Sequence, residues 1–159
     1  MNDAVPQQLY AVLVALQSDT LLLPNLAVAE VVAMQNLRPL SGSPAWFAGL
    51  LSWQGLELPV ARFELLNNGG ADLPGRRTRI AIINAVSTRL SAGRYGLLAE
   101  GYPHLVTLNR AALRPAELRP QDSPGLVLSR VKVASQEALI PNLERIEQEM
   151  AAVLSEAPG

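Results

Sequence analysis

Hydrophobic positions fall into short runs separated by turn-forming residues along most of the chain, and only the last stretch changes period. Leu9 to Leu16 (LYAVLVAL) is continuously apolar; the polar triplet Gln17-Ser18-Asp19 follows, then a second run, TLLLP. Two such runs around a short polar break predict a β-hairpin. Val28-Ala29-Glu30-Val31-Val32 predicts a further strand, whereas LRPLSGSPAW, with two prolines, a glycine and two serines, predicts an irregular connection. In GLLSWQGLELPVARFELLNNGG, Gln54-Gly55 separates two apolar-rich runs. The glycine can take positive φ where a tight turn needs it, so a second hairpin is expected. Asn67 to Pro74, rich in Asn, Gly and Asp, is expected to be an exposed loop dividing the chain into two halves.

The second half repeats this grammar. RIAIINAV and RYGLLAE predict strands joined by a loop containing Gly93; LVTL continues the sheet, and His104 falls in an apparent turn after Tyr102-Pro103. LRPAELRPQDSPG is read as a Pro-rich connection leading to strands in LVLSRVKV and EALI. In the tail, Leu143, Ile146, Met150, Val153 and Leu154 recur at spacings of three and four, which predicts an amphipathic helix with Pro141 near its first turn. Many short strands followed by one helix predict a mainly β sandwich or barrel, a single domain over 1–159.

Composition narrows the functions available. A hydrophobic fraction of 49% against 17% charged residues predicts a packed core. The formal net charge of -1 provides no field to collect nucleic acid or an anionic membrane surface. With no cysteine and a single histidine, His104, disulfides, thiol nucleophiles and most zinc chemistry are excluded. No apolar run approaches the roughly 20 residues of a membrane helix, and the N-terminus lacks signal-peptide character, so membrane insertion is not expected and the cytoplasm is the expected address.

Candidate chemistry is sparse. His104 has no partner of the kind nucleophilic catalysis requires, and the carboxylates Glu144, Glu147, Glu149 and Glu156 are read as the solvated face of the terminal helix. Neither GxxxxGK[ST] nor GxGxxG occurs, and Arg76, Arg77 and Arg79 lack interleaved aromatics, so phosphate and nucleic-acid sites are not indicated. No metal or cofactor is implied. Of the two tryptophans, Trp46 is expected in the core, and Trp53, just before the hairpin turn, is expected either to cover the core or to anchor an interface.

The order of these features resembles the CheW-like domain: an opening hairpin, the Glu30-Val31 pair, a proline-containing loop, and G-x-x-x-x-x-G-x-x-x-P-[VI] from Gly49 through Gly55 to Pro59-Val60. The resemblance continues through RIAIINAV and RYGLLAE to the final strand and helix. It implies two SH3-like five-stranded β-barrel subdomains around a shared hydrophobic core, with a C-terminal amphipathic helix. It also implies a non-catalytic adaptor between a methyl-accepting chemoreceptor and a CheA-type histidine kinase, with Glu30, Val31, Trp53, Gln54, Gly55 and Arg62 as partner-binding residues. Trp53-Gln54-Gly55 and Phe63-Glu64-Leu65-Leu66-Asn67 look most like the divergent adaptors of pilus and twitching-motility systems. Two positions depart from the pattern: Gln54 replaces an arginine, and Arg62 an acidic residue. Glutamine lacks the planar charged fork of arginine, so a charge-assisted pair with Glu30 is replaced at best by an ordinary hydrogen bond. The alternative reading is a sensory β-barrel domain that binds a small molecule or peptide in an apolar pocket.

Overall fold

The computed structural model describes residues 9–109 and 113–156. The first apolar runs form β1 (Leu9–Ala15) and β2 (Thr20–Pro24), paired antiparallel from Ala11↔Pro24 to Ala15↔Thr20. The Leu16 amide donates to the Asp19 carbonyl at 2.8 Å, closing the predicted turn. Next come β3 (Val28–Ala33), β4 (Phe47–Trp53), β5 (Leu56–Ala61), the short α1 (Phe63–Leu66), β6 (Thr78–Asn84) and β7 (Arg94–Glu100). The chain finishes with β8 (His104–Leu108), β9 (Leu113–Ala116), β10 (Val127–Val133), β11 (Gln136–Pro141) and α2 (Leu143–Glu156).

These strands form two sheets, one ordered β8-β1-β2-β11-β10-β9 and one ordered β3-β6-β7-β5-β4. The fold is mainly β, two curled SH3-like halves and a terminal helix, as expected, with corrections to strand number, to the 67–74 loop and to His104. The first sheet has six strands where five were expected. The sixth is β9, from the Pro-rich connection: Leu113 to Ala116 pairs with Val133 to Arg130, and Pro115 is tolerated because β9 lies at an edge. The loop 67–74 does not divide the halves, because β1 and β2 belong to the same sheet as β8 to β11 and the other sheet is built wholly from 28–100. His104 opens β8, paired with Leu13, instead of sitting in a turn.

Three apolar clusters explain why the strands read as continuous hydrophobic runs. Ala11, Leu13, Leu22, Leu108, Val131 and Ala138 fill the six-stranded half. Leu51, Leu58, Val60, Ile80, Ile82 and Leu98 fill the five-stranded half. Alternate residues of the same strands, among them Val12 and Val14 of β1, Ala81 and Ile83 of β6, and Leu97 of β7, form a third cluster shared by both sheets. With both faces buried, alternation of apolar and polar residues disappears. Gly96 sits where β7 crosses the five-stranded half, and a Cβ there would come within 2.8 Å of Ile80 and 3.0 Å of Val60.

Helix α2 seals the shared core with Ile146 and Met150, both fully buried. Asn142 caps it by accepting from the Arg145 amide at 3.2 Å, and Pro141 ends β11 immediately before that cap. Glu147 corrects the reading of a solvated acidic face, for it is fully buried. Its carboxylate accepts from the Val86 amide at 2.8 Å, the Ser87 amide at 2.9 Å and the Ser87 hydroxyl at 2.5 Å. Helix and β6–β7 loop are thereby tied together. Tyr95, buried nearby, has its phenol pushed well up from the ordinary value by burial and by the charge of Glu147.

A second polar cluster joins distant segments. The Arg130 side chain on β10 is excluded from solvent and donates to both oxygens of Asp122, at 2.7 and 2.8 Å, and both oxygens of Asp19, at 3.1 and 2.8 Å. Asp122 also accepts from the Arg119 amide at 2.8 Å and from the Asn67 side chain at 3.0 Å, so Asn67, expected on an exposed loop, is instead buried. The Arg130 hydrogen bonds hold the Asp122 carboxyl far below the usual carboxylate range. No helix among the described residues is long and apolar enough to cross a membrane.

Candidate functional site

The Gln54-Gly55 turn has positive φ at both residues, +48° and +76°, as a two-residue hairpin between Trp53 and Leu56 requires. Trp53 ends β4, one edge of the five-stranded sheet, and Glu30 lies on β3, the other edge. The Trp53 indole N–H donates to Glu30 Oε1 at 2.9 Å, so this bond joins the two edges. The same half is closed a second time where Arg38 and Leu50 exchange backbone hydrogen bonds at 2.9 and 2.8 Å. Gly49 is required there, since a Cβ would lie 2.8 Å from the Leu37 Cβ and 2.9 Å from the Arg38 carbonyl oxygen. Trp53 also packs on the apolar filling of its barrel, so it covers the core while leaving part of its ring in solvent.

Arg94, at the start of β7, places its guanidinium 5.4 Å from the centre of the Trp53 ring. Its Nε donates to Asn84 Oδ1 at 3.0 Å, and Asn84 Nδ2 donates in turn to the Leu26 carbonyl at 2.9 Å. A continuous array therefore runs from Leu26 through Asn84, Arg94 and Trp53 to Glu30. Leu26 is 82% exposed and Leu56, opposite Trp53 in the hairpin, 39%. The array combines an indole, a guanidinium, a carboxylate and exposed aliphatic carbon, which suits protein recognition.

The remaining expected residues divide. Gln54 and Gly55 are exposed at the hairpin tip, but the hydrogen bond expected between Gln54 and Glu30 is made by Trp53 instead. Val31 packs against the shared core next to Glu30. Arg62 lies at the opposite end of β5, roughly 20 Å from Gln54 by strand rise. There Arg62 donates to the Asp72 carbonyl, its buried Nε meets no acceptor among the described residues, and it lines a cleft of about 380 Å³ with Met34, Gln35, Asn36, Leu37, Phe47 and Leu98. Arg94, Asn84 and Leu26 were not foreseen. No spacing in the sequence ties position 94 to 53, because their proximity depends on the parallel pairing of β5 with β7.

The arrangement of two curled sheets has known counterparts. The model of the CheW-like domain matches residues 11–150. The chain belongs to the CheW-like domain family. Among solved structures, the CheW-like fold is similar to that of the scaffolding protein TtCheW from Thermoanaerobacter tengcongensis, with a TM-score of 0.70 and 18% identity over 85% of this chain and 89% of that one. No curated protein matches the sequence. In this CheW-like chain the glycines of the G-x-x-x-x-x-G pattern have physical reasons: Gly49 permits the backbone bridge to Arg38, and Gly55 the tight hairpin.

Proposed function

We propose that this chain is a non-catalytic signalling adaptor that joins a methyl-accepting chemoreceptor to a CheA-type histidine kinase, in the cytoplasm, within a chemotaxis or twitching-motility pathway. Membership of the CheW-like family supports this reading. The observation that carries it is the partly exposed Trp53 ring, fixed between Glu30 and Arg94 where the five-stranded half closes. A rigid amphipathic ring beside exposed aliphatic carbon loses little entropy on docking, which is how interface anchors earn affinity. In this reading Glu30, Val31, Trp53, Gln54 and Gly55 form one docking surface, and Arg62 belongs to a separate one.

The test is reconstitution. Phosphorylation by a CheA-type kinase is measured with and without a receptor cytoplasmic fragment, in the presence and absence of this chain. The adaptor reading predicts receptor control of the kinase only when the chain is present. Receptor control that is identical without the chain contradicts it.

The cleft beside Arg62 favours a second reading, a sensory domain, because apolar side chains beside Gln35, Asn36 and an Arg62 donor that meets no acceptor among the described residues fit a ligand carrying an acceptor. Binding of a cellular metabolite that is lost in Arg62→Met but kept in Trp53→Ala supports it.

A further inference from the structure

We propose that Arg94 is the specificity residue of this surface and receives an aspartate or glutamate side chain from the protein partner, an acidic residue flanked by an aliphatic one. This rests on the adaptor reading and names the chemistry of its docking surface. The first argument is that the guanidinium is held but unfilled. Its Nε is taken by Asn84 and its face lies over Trp53, yet no carboxylate among the described residues is within ion-pair distance of it. Arg38, Arg119, Arg130 and Arg145 are ion-paired, whereas Arg62, Arg76, Arg77, Arg79, Arg89 and Arg114, like Arg94, are in no ion pair among the described residues. Even Arg79, which also lies over a ring, that of Tyr102, spends a terminal nitrogen on the Arg76 and Thr78 carbonyls, whereas Arg94 is held through Nε alone. Among the described residues no acceptor meets either terminal nitrogen of Arg94, while Asn84 and the Trp53 ring already set its orientation.

The second argument is entropic. Arginine loses less freedom per hydrogen bond when its planar fork is ordered in advance, and that fork matches a carboxylate in a bidentate manner. Asn84 is itself held by the Leu26 carbonyl, so three elements fix the donor geometry. The third argument is what lies next to it. Leu26, 82% exposed, adjoins the Asn84 end of the array through its carbonyl. An aliphatic side chain beside the partner's carboxylate would cover it, while Glu30, already bonded to Trp53 through Oε1, disfavours a second acidic residue at the far end.

The experiment is a titration of wild type, Arg94→Ala, Arg94→Lys and Arg94→Glu against two probes: a chemoreceptor cytoplasmic hairpin and the regulatory domain of a CheA-type kinase from the same organism. Melting of each variant is recorded beside binding. We expect Arg94→Ala to weaken binding to one probe by at least about tenfold and to flatten its salt dependence, with Arg94→Lys between. Arg94→Glu should abolish that binding, and an Asp→Lys or Glu→Lys substitution in the partner should restore it. Wild-type affinity in Arg94→Ala, or no acidic position in the partner whose reversal rescues Arg94→Glu, overturns the assignment and leaves the adaptor reading standing. Failure of wild type to bind either probe removes both.

Discussion

Single side chains in this protein act through their fixed surroundings. Gln54 occupies a left-handed position, φ +48°, that costs an ordinary residue roughly 1–2 kcal/mol and that asparagine tolerates better. Gln54→Asn should therefore raise the melting temperature by a few degrees, checked by thermal circular dichroism; an unchanged or lower value contradicts the turn geometry. Gly96→Ala drives a Cβ against Ile80 and Val60 in a filled barrel, so it should cost about 1–3 kcal/mol in urea unfolding. Both positions were readable only in part. A glycine after Gln54 announces a turn, but nothing around Gly96 announces a crowded crossing. The same holds at the site: Trp53 could be singled out as one of two tryptophans, whereas Arg94 looks like any arginine at the start of a strand.

Helix α2 and the two hairpins show which elements a sequence discloses. Periodicity identified α2 and placed Ile146 and Met150 inward, because burial at spacings of three and four is a local property. It misjudged Glu147, whose burial depends on amides contributed by 86–87, a loop sixty residues away in sequence. Glu147→Gln, which replaces one acceptor oxygen by a donor facing those amides, should destabilise by about 1.5–3 kcal/mol while leaving helix content intact. Chemical denaturation followed by circular dichroism checks this, and equal stability would mean that helix and loop are not coupled through this carboxylate. Strand β9 escapes the sequence pattern for a similar reason: Pro115 and the prolines that follow it argue against a strand, and only an edge place beside β10 makes it one.

At the scale of the whole molecule, Arg130 draws the β1–β2 turn, the 119–125 loop and, through Asp122 and Asn67, the end of α1 onto β10. Removing one partner of such a buried pair costs roughly 3–5 kcal/mol, so Asp122→Asn should unfold at clearly lower denaturant near neutral pH. The sign of the pH dependence follows from a carboxyl whose folded value is depressed below the unfolded ~3.9. Its stabilisation is complete above about pH 4 and is lost as pH falls toward the folded value, so the gap between wild type and Asp122→Asn should narrow between about pH 4 and pH 2. A constant gap would place the stabilisation elsewhere.

The proposed role of the molecule depends on the closure of the five-stranded half being a docking surface, and the two tryptophans allow that to be observed directly. Trp46 packs against the shared core and meets Phe47 edge to face, while Trp53 stands at the surface between Glu30 and Arg94. Two indole N–H resonances are therefore available in a nitrogen-15 correlation spectrum, assigned with Trp53→Phe. During titration with the kinase regulatory domain and then with the receptor hairpin, the Trp53 resonance should shift or broaden saturably with one of them while that of Trp46 stays in place. Saturable binding that leaves the Trp53 resonance unmoved would contradict the account.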